Sequence, residues 1–573
     1  MEKFETPFIS ITDAIASHAK WRPGKTAIIC GDQRRTWSEY NGAVTRVANG
    51  LVAAGLRRGD KVSVLMTNSI EMPEIMMGAV KAGGVTVPLS VMGAAESLAA
   101  MINDSDSRFV FVDASLAPVI DSIRGGLLNI PPESFFVIGS EVEGWTNYQE
   151  WRDGFPDAPP RISLTPDDDF NLIYSSGTTG APKGIAHTHY ARQHSAYILA
   201  IEFRFDLNSI ALITTAFFSN ATWMMMLPSL AIGSTMVVMP RFDPKEFLAL
   251  VERERCTHTF MVPTQYIAIL SAPEFDGFDL SSLKTLLSTG APLRDDTKTQ
   301  MLRKFGGGVY ELYGLTEGIA TTLKPEEMEG KLSSVGTTVF GGDIRIIDEA
   351  GGELPRGEAG EIVGYSSALM RGYYKKPEET SAAVWKDEAG RSYLRTGDIG
   401  KLDEDGFLYI LDRKKDMIIS GGVNVFPKDI EEIVARHPEV ADVAVIGIPH
   451  DKWGETPLAL VIKRPGSSLG AEDLKRWANE RLAKHQRISG VEFRDELPRN
   501  ALGKVLKKEL REPYWRKGDS RYEGKVSFRG CSFQAPVRQG GFGHAWGQHT
   551  TLDCADALPD LCGKRARLPH YRR

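Results

Sequence analysis

The chain has 573 residues, 42% apolar and 25% charged, with a formal net charge of -6. These are the proportions of a globular protein with room for more than one domain. Spread over so long a chain, this charge indicates no polyanion partner, and no nucleic-acid partner is expected.

The chain begins MEKFETPFISITDAIASHAKW, with charges mixed through its apolar residues, so no secretory signal is expected. The most apolar window, WMMMLPSLAIGSTMVVMP, is interrupted by Pro228, Gly233 and Ser234 and is too short to span a bilayer. Cys30, Cys256, Cys531, Cys554 and Cys562 follow neither zinc nor disulfide spacing. A cytoplasmic, reducing location is expected, and no transmembrane segment.

Short apolar runs with β-type residues recur at Lys61 (KVSVLM), Arg108 (RFVFVD), Ser234 (STMVVMP), Thr257 (THTFMVP) and Lys284 (KTLLSTG), with helical stretches between them. Near-continuous apolar strands alternating with helices predict an α/β domain of largely parallel sheets. From about residue 341 the pattern changes. DIRIID, GEIVGYS and GFLYILD are joined by Gly- and Asp-rich turns without long helices, which predicts a small β-rich subdomain over about 341–411. PKDIEEIVARHPEV then reads as an amphipathic helix with Ile430, Ile433 and Val434 on one face. ADVAVIGIP and LALVIKRP supply strands, and LGAEDLKRWANERLAKH a second helix. The organisation expected is a large N-terminal domain (1–411), a small mobile α+β domain (412–515) and a basic appendage outside the fold (516–573). The appendage has 11 Lys and Arg against 5 Asp and Glu, and no apolar period.

The informative stretch is NLIYSSGTTGAPKG, Asn171 to Gly184. A strand runs into Ser175, Ser176, Thr178 and Thr179. Gly177, Gly180 and Gly184 open the backbone, and Lys183 adds a positive charge. Hydroxyls, accessible backbone N–H groups and an ammonium together suit the oxygens of a polyphosphate. The spacing is not that of a Walker A loop, which places four residues between its glycine and its Gly-Lys pair.

YSSGTTGAPKG resembles the phosphate-loop signature of the adenylate-forming superfamily, which includes acyl-CoA synthetases, luciferases and peptide-synthetase adenylation domains. Further matches follow in the superfamily's order: STGAPL from Ser288, ELYGLTE from Glu311, GEAGEIVGYSSALMRGYY from Gly357, YLRTGD from Tyr393, DRKKDMIISGGVNVFPKDIE from Asp412 and LPRNALGK from Leu497. They cover the chain as far as Trp515 and none of the appendage.

The resemblance implies an enzyme that joins a carboxylate to ATP with Mg2+, giving acyl-AMP and pyrophosphate, and then passes the acyl group to the thiol of coenzyme A. It implies that Glu317 places the magnesium ion and that Thr316 contacts phosphate, as do Ser175, Ser176, Gly177, Thr178, Thr179, Gly180 and Lys183. Tyr313, flanked by Gly314, would stack on adenine opposite the Gly290–Ala291 backbone. Asp398 would take both ribose hydroxyls, a task suited to a carboxylate, with Arg413 nearby. Lys504 would be the catalytic lysine, acting with Thr178 and Glu317, that reaches the acyl carboxylate and the α-phosphate. It is carried by the small domain, which the resemblance implies rotates about a hinge at Lys415 between the two half-reactions. Gly421, Gly422 and Trp453 would then line the approach of coenzyme A.

The acid itself is less constrained. Phe218, Trp223 and Met224 in TTAFFSNATWMMMLPSL offer an apolar pocket wall. Asn220 stands where many members of the superfamily carry a histidine. No acidic residue in FFSNATW could meet a substrate ammonium, so an apolar fatty or aryl acid is expected rather than an amino acid. Two alternatives remain: loading of a free-standing carrier protein, and a nucleotide-binding homologue without catalysis. The oligomeric state is open, with a homodimer as one option.

Overall fold

In a computed structural model of the chain, the residues described are 8–175, 183–305, 308–421, 423–499 and 503–515. The five apolar runs named above are strands, and all five pair in parallel with a neighbour. They divide between two sheets. Lys61–Leu65 and Ser107–Asp113 are neighbours in an eight-stranded sheet, whereas Thr235–Val238, His258–Met261 and Thr285–Ser288 belong to a nine-stranded one.

Each large sheet has a parallel centre and an antiparallel margin. In the eight-stranded sheet the margin is Asp169–Ser175, Lys183–Thr188 and Gly372–Tyr373. In the nine-stranded sheet one margin is Gly308–Gly314, Ala320–Leu323 and Thr337–Thr338, and Gln33–Thr36 adds an antiparallel strand at the other edge. Parallel strands buried on both faces leave little room for polar side chains. The margins do carry them, and Ser175, Lys183, Tyr313 and Gly314 of the expected nucleotide-binding residues lie there.

The main core is built by Trp37–Ala53, Glu71–Lys81 and Trp223–Ile232 together with the sheet strands. Thr36 and Ser10 close capping boxes at the starts of Trp37–Ala53 and Ile11–Trp21, each accepting a backbone N–H that the first turn leaves unpaired. A Cβ on Gly78 would lie 2.4 Å from a Val47 methyl, so only glycine lets these two helices approach so closely. Trimming a core side chain such as Met76 to alanine costs about 2–5 kcal/mol.

The β-rich segment is a five-stranded antiparallel sheet of Asp343–Ile347, Gly360–Tyr365, Val384–Lys386, Ser392–Leu402 and Leu408–Arg413. Its last strand runs on through Arg413, two residues beyond the expected boundary. The C-terminal sheet contains Ile418–Ser420, Val423–Val425, Val440–His450, Gly454–Lys463 and Gly490–Phe493. Pro427–Ala435 packs on it through Ile430 and Val434, both fully buried. The second expected helix is shorter than LGAEDLKRWANERLAKH suggests: it spans Ala471–Asn479. Asn479 ends it, because its amide accepts from the Ile488 N–H and donates to the Ile488 carbonyl. Among the described residues no helix is long and apolar enough to cross a membrane.

Candidate active site

The hydroxyl loop joins two antiparallel strands whose last paired residues are Ser175 and Lys183. Ser176, Gly177, Thr178, Thr179 and Gly180 lie outside the described residues, as do Gly422 and the appendage 516–573. Beside the loop, Lys183 is ion-paired with Glu379, and its ammonium sits 5.2 Å from the centre of the Tyr373 ring. The Tyr373 hydroxyl donates to Glu317 Oε1 at 2.9 Å. Tyr373 reaches this place because Gly372–Tyr373 pairs with Lys183–Thr188, opposite Ile185. Lys183 and Glu317, far apart in sequence, thus meet on one tyrosine. Burial and the Glu317 carboxylate push the Tyr373 phenol above its ordinary range, so it stays a donor.

A magnesium ion held mainly by phosphate oxygens and water needs only one or two protein carboxylates. Glu317 fits that need, since its second oxygen has no partner among the described residues. No cluster of three or more His, Cys, Asp or Glu side chains that could hold a metal alone occurs among them.

On the margin of the nine-stranded sheet, the Tyr313 hydroxyl donates to Asp398 Oδ2 at 2.8 Å. Arg413 Nε lies 3.5 Å from the other oxygen, Oδ1. Asp398 and Arg413 face each other across paired strands, so backbone register fixes the contact. The N–H of Asp398 donates to Thr396 Oγ1, which tethers the Gly397 turn at φ +69°. Gly290 has φ +90° and follows the Thr285–Ser288 strand. The segment after it is anchored by Glu311, which accepts from the Leu293 N–H and pairs with the buried Lys298 at 2.6 Å.

Lys504, carried by the C-terminal part, lies within electrostatic reach of Arg413, Asp398, Asp416 and Lys415. Burial and then the Arg413 charge pull it down to about 8, against partial support from Asp398 and Asp416. The neighbouring segment is pinned from both sides. Arg511 donates to the Lys415 carbonyl and pairs with Asp416, each at 2.9 Å. Lys428 donates from its backbone to Asp412 and from its ammonium to the Ile410 carbonyl. Lys415 itself is exposed.

The acyl-pocket residues are less alike than their sequence suggests. Phe218 and Asn220 are half-buried, while Trp223 and Met224 are buried. The Trp223 indole donates to the Phe217 carbonyl at 2.8 Å, and the Arg192 guanidinium lies 4.8 Å from its ring centre. Gly421 and Trp453 pack on each other: a Cβ on Gly421, whose φ is +60°, would sit 2.7 Å from the indole. Trp453 is 47% exposed.

His187 and Thr316 show a connection that motif reading does not reveal. The Thr316 carbonyl can only accept, so His187 donates through Nε2 at 2.8 Å. His187 is fully buried, and burial and the Arg192 charge hold it neutral. Tyr373, Glu379 and Arg192 are the other site neighbours missed from the sequence. Only the pairing of distant strands makes them visible.

Two groupings thus stand out: Lys183, Tyr373 and Glu317 meet beside the hydroxyl loop, and Tyr313, Asp398 and Arg413 meet with Lys504 in electrostatic reach. The AMP-binding enzyme family model matches residues 15–374, and that of the AMP-binding enzyme C-terminal domain matches 429–504. The chain belongs to this family, within the adenylate-forming superfamily. It is 35% identical to a feruloyl-CoA synthase of Amycolatopsis sp. over 500 residues, which are 87% of this chain and 97% of that one. It is 34% identical to the long-chain-fatty-acid–CoA ligase FadD13 of Mycobacterium tuberculosis over 488 residues, 84% and 94% of the two chains. Among solved structures, ATP-bound MatB from Rhodopseudomonas palustris superposes with a TM-score of 0.79 at 31% identity, covering 88% of this chain and 99% of that one. ATP, Mg2+ and coenzyme A are the co-substrates and metal ion of this class, and acid–CoA ligation is the activity its relatives define.

Proposed function

We propose that the protein activates an apolar carboxylic acid, aryl or fatty, as an acyl-adenylate and transfers the acyl group to coenzyme A. In the first half-reaction a carboxylate oxygen attacks the α-phosphorus of ATP and the bond to pyrophosphate breaks. In the second, the coenzyme A sulfur attacks the acyl carbonyl, AMP leaves and the thiol proton goes to solvent.

Two anions must approach in the first step, so fixed positive charge is the main requirement. Lys504 supplies it between the acyl carboxylate and the α-phosphate. Asp398 accepts both ribose hydroxyls, held for this by Tyr313 and Arg413, and Tyr313 presents its ring to adenine beside Gly290 and Ala291. Lys183 and Thr316 contact the phosphates. Glu317 would hold Mg2+, which neutralises phosphate charge when bound. Phe218, Asn220 and Met224 form the acyl wall, an apolar surface without a carboxylate for a substrate amine. For the second step the C-terminal domain turns about Lys415 and brings Gly421 and Trp453 to the thiol.

The observation that carries this reading is the company of Lys504. A lysine near the end of the described residues shares its electrostatic environment with Asp398 and Arg413. The test is AMP release and thioester formation with ATP, Mg2+ and coenzyme A across benzoate, phenylpropenoate and fatty-acid series. Acid-dependent thioester is expected. ATP–pyrophosphate exchange without any thioester would instead favour a carrier protein as acceptor, and no exchange at all would leave a non-catalytic homologue.

A further inference from the structure

Arg192 is 4% exposed, and no carboxylate pairs with it among the described residues. Its neighbours are neutral. Nε donates to Asn171 Oδ1 at 2.6 Å. Nη2 donates to Asn220 Oδ1 at 2.8 Å and to His187 Nδ1 at 3.3 Å. Nη1 has no hydrogen-bond partner among the described residues. Hydrogen bonds to neutral acceptors satisfy N–H groups, and the Trp223 ring 4.8 Å away eases the charge only in part, so the cation has no counter-ion among the described residues and stays costly to bury. The location adds to the cost, because Arg192 is in the first turn of the His189–Glu202 helix, where the helix dipole opposes a cation. Burial alone pulls the guanidinium down to about 9, yet it stays charged at neutral pH.

The surroundings say what the charge faces. Asn171 lies on the strand that leads into the hydroxyl loop. His187 holds the carbonyl of Thr316 in the ELYGLTE segment. Asn220 and Trp223 begin successive helical turns of the acyl-pocket segment. The cation therefore sits between the groups expected to hold phosphate and those expected to hold the acyl chain. In an acid–CoA ligase the substrate carboxylate must be presented there. The bond to Asn220 also orients that amide: Oδ1 is taken by Arg192, and Nδ2 remains a donor without a partner among the described residues.

Resting on the ligase reading above, we infer that Arg192 is a positioning residue for the acid substrate. It supplies fixed positive potential where the carboxylate binds and turns the Asn220 amide N–H groups toward that carboxylate. The counter-charge missing from the fold is the substrate's own.

The test uses the full-length enzyme and whichever of benzoate, a phenylpropenoate and decanoate gives the fastest AMP release with wild type. Arg192→Gln is expected to raise the KM of that acid about ten- to a hundredfold, as for loss of a charged hydrogen-bonding partner, with the KM of ATP nearly unchanged. Arg192→Lys keeps the charge and is expected to restore part of the acid affinity. Equal rises in both KM values, or an unchanged acid KM, overturn the assignment. If Arg192→Gln does not fold, Asn220→Asp decides. The new carboxylate pairs with the guanidinium, so a higher Tm with a raised acid KM is expected, and a higher Tm with an unchanged acid KM overturns it. A wild type that releases no AMP with any acid removes the ligase reading and this inference with it. An active wild type whose variants keep their acid KM removes only the role of Arg192.

Discussion

Glu74 and Arg192 are both buried charges, and the fold answers them differently. Glu74 is fully buried and takes Arg35 at 2.5 Å, Arg152 at 2.9 Å and the Tyr148 hydroxyl at 2.5 Å. These partners tie the Glu71–Lys81 helix to the Gln33–Thr36 strand and the Tyr148–Asp153 helix. Among the described residues Arg192 is met by two amides, an imidazole and the face of an indole, and by no carboxylate. A charge answered by opposite charges inside the fold serves the fold, whereas one left unanswered remains available to a ligand. The contrast therefore predicts a split: charges of the first kind control stability, and those at the candidate site control rate or substrate affinity.

Lys504→Ala should show the largest effect on rate. Loss of a preorganised positive group opposite developing charge costs about 10²–10³-fold in adenylate formation, measured as ATP–pyrophosphate exchange. Tm and thioester formation from supplied acyl-AMP should be nearly unchanged, because the second half-reaction does not need that charge between two anions. Equal loss of both half-reactions would break the assignment. Glu74→Ala should do the reverse. Removing the carboxylate strands Arg35 and Arg152, which costs about 3–5 kcal/mol in urea unfolding. The kcat per folded molecule should hold. A variant that keeps its stability and loses its rate would erase the contrast.

The pH dependence sharpens it further. Burial and Arg413 bring Lys504 down to about 8. Below that pH the ammonium is charged and can serve the adenylation step; above it the amine is neutral. The kcat/KM of adenylate formation, which reports the free enzyme, should therefore fall as pH rises through about 8. Thioester formation from supplied acyl-AMP should not follow that fall, and Lys504→Arg should abolish the fall wherever it retains activity, since guanidinium keeps its proton.

The split also marks what a sequence reader can and cannot see. The parallel strands were legible because burial on both faces forces uninterrupted apolar runs, as in KVSVLM and RFVFVD. Their division between two sheets was not, since local pattern is the same in either. Lys504, Asp398 and Glu317 stand in recognisable motifs, and Asp398 and Arg413 meet through strand register. Arg192 belongs to no quoted motif and looks like a surface charge on a helix. Its burial becomes visible only when Asn171, His187 and Asn220, from three separate elements, close around it. The end of the Ala471–Asn479 helix was hidden for the same reason: Asn479 is held by Ile488, a partner that helical periodicity cannot supply.

The smallest expected effect concerns Tyr373, which is neither kind of charge but lies between Lys183 and Glu317. Tyr373→Phe keeps the ring beneath the Lys183 ammonium and removes only the hydroxyl that donates to Glu317. One hydrogen bond to a charged acceptor is worth about 1.5–3 kcal/mol. Solvent can replace part of it, because Glu317 is half-buried rather than sealed. If Glu317 holds the metal, the Mg2+ concentration for half-maximal adenylation should rise about threefold or more, with the KM of the acid unchanged. A Mg2+ requirement that stays put while the acid KM moves would place Tyr373 with the acyl wall instead. The phosphate side and the acyl side would then be one coupled region rather than two.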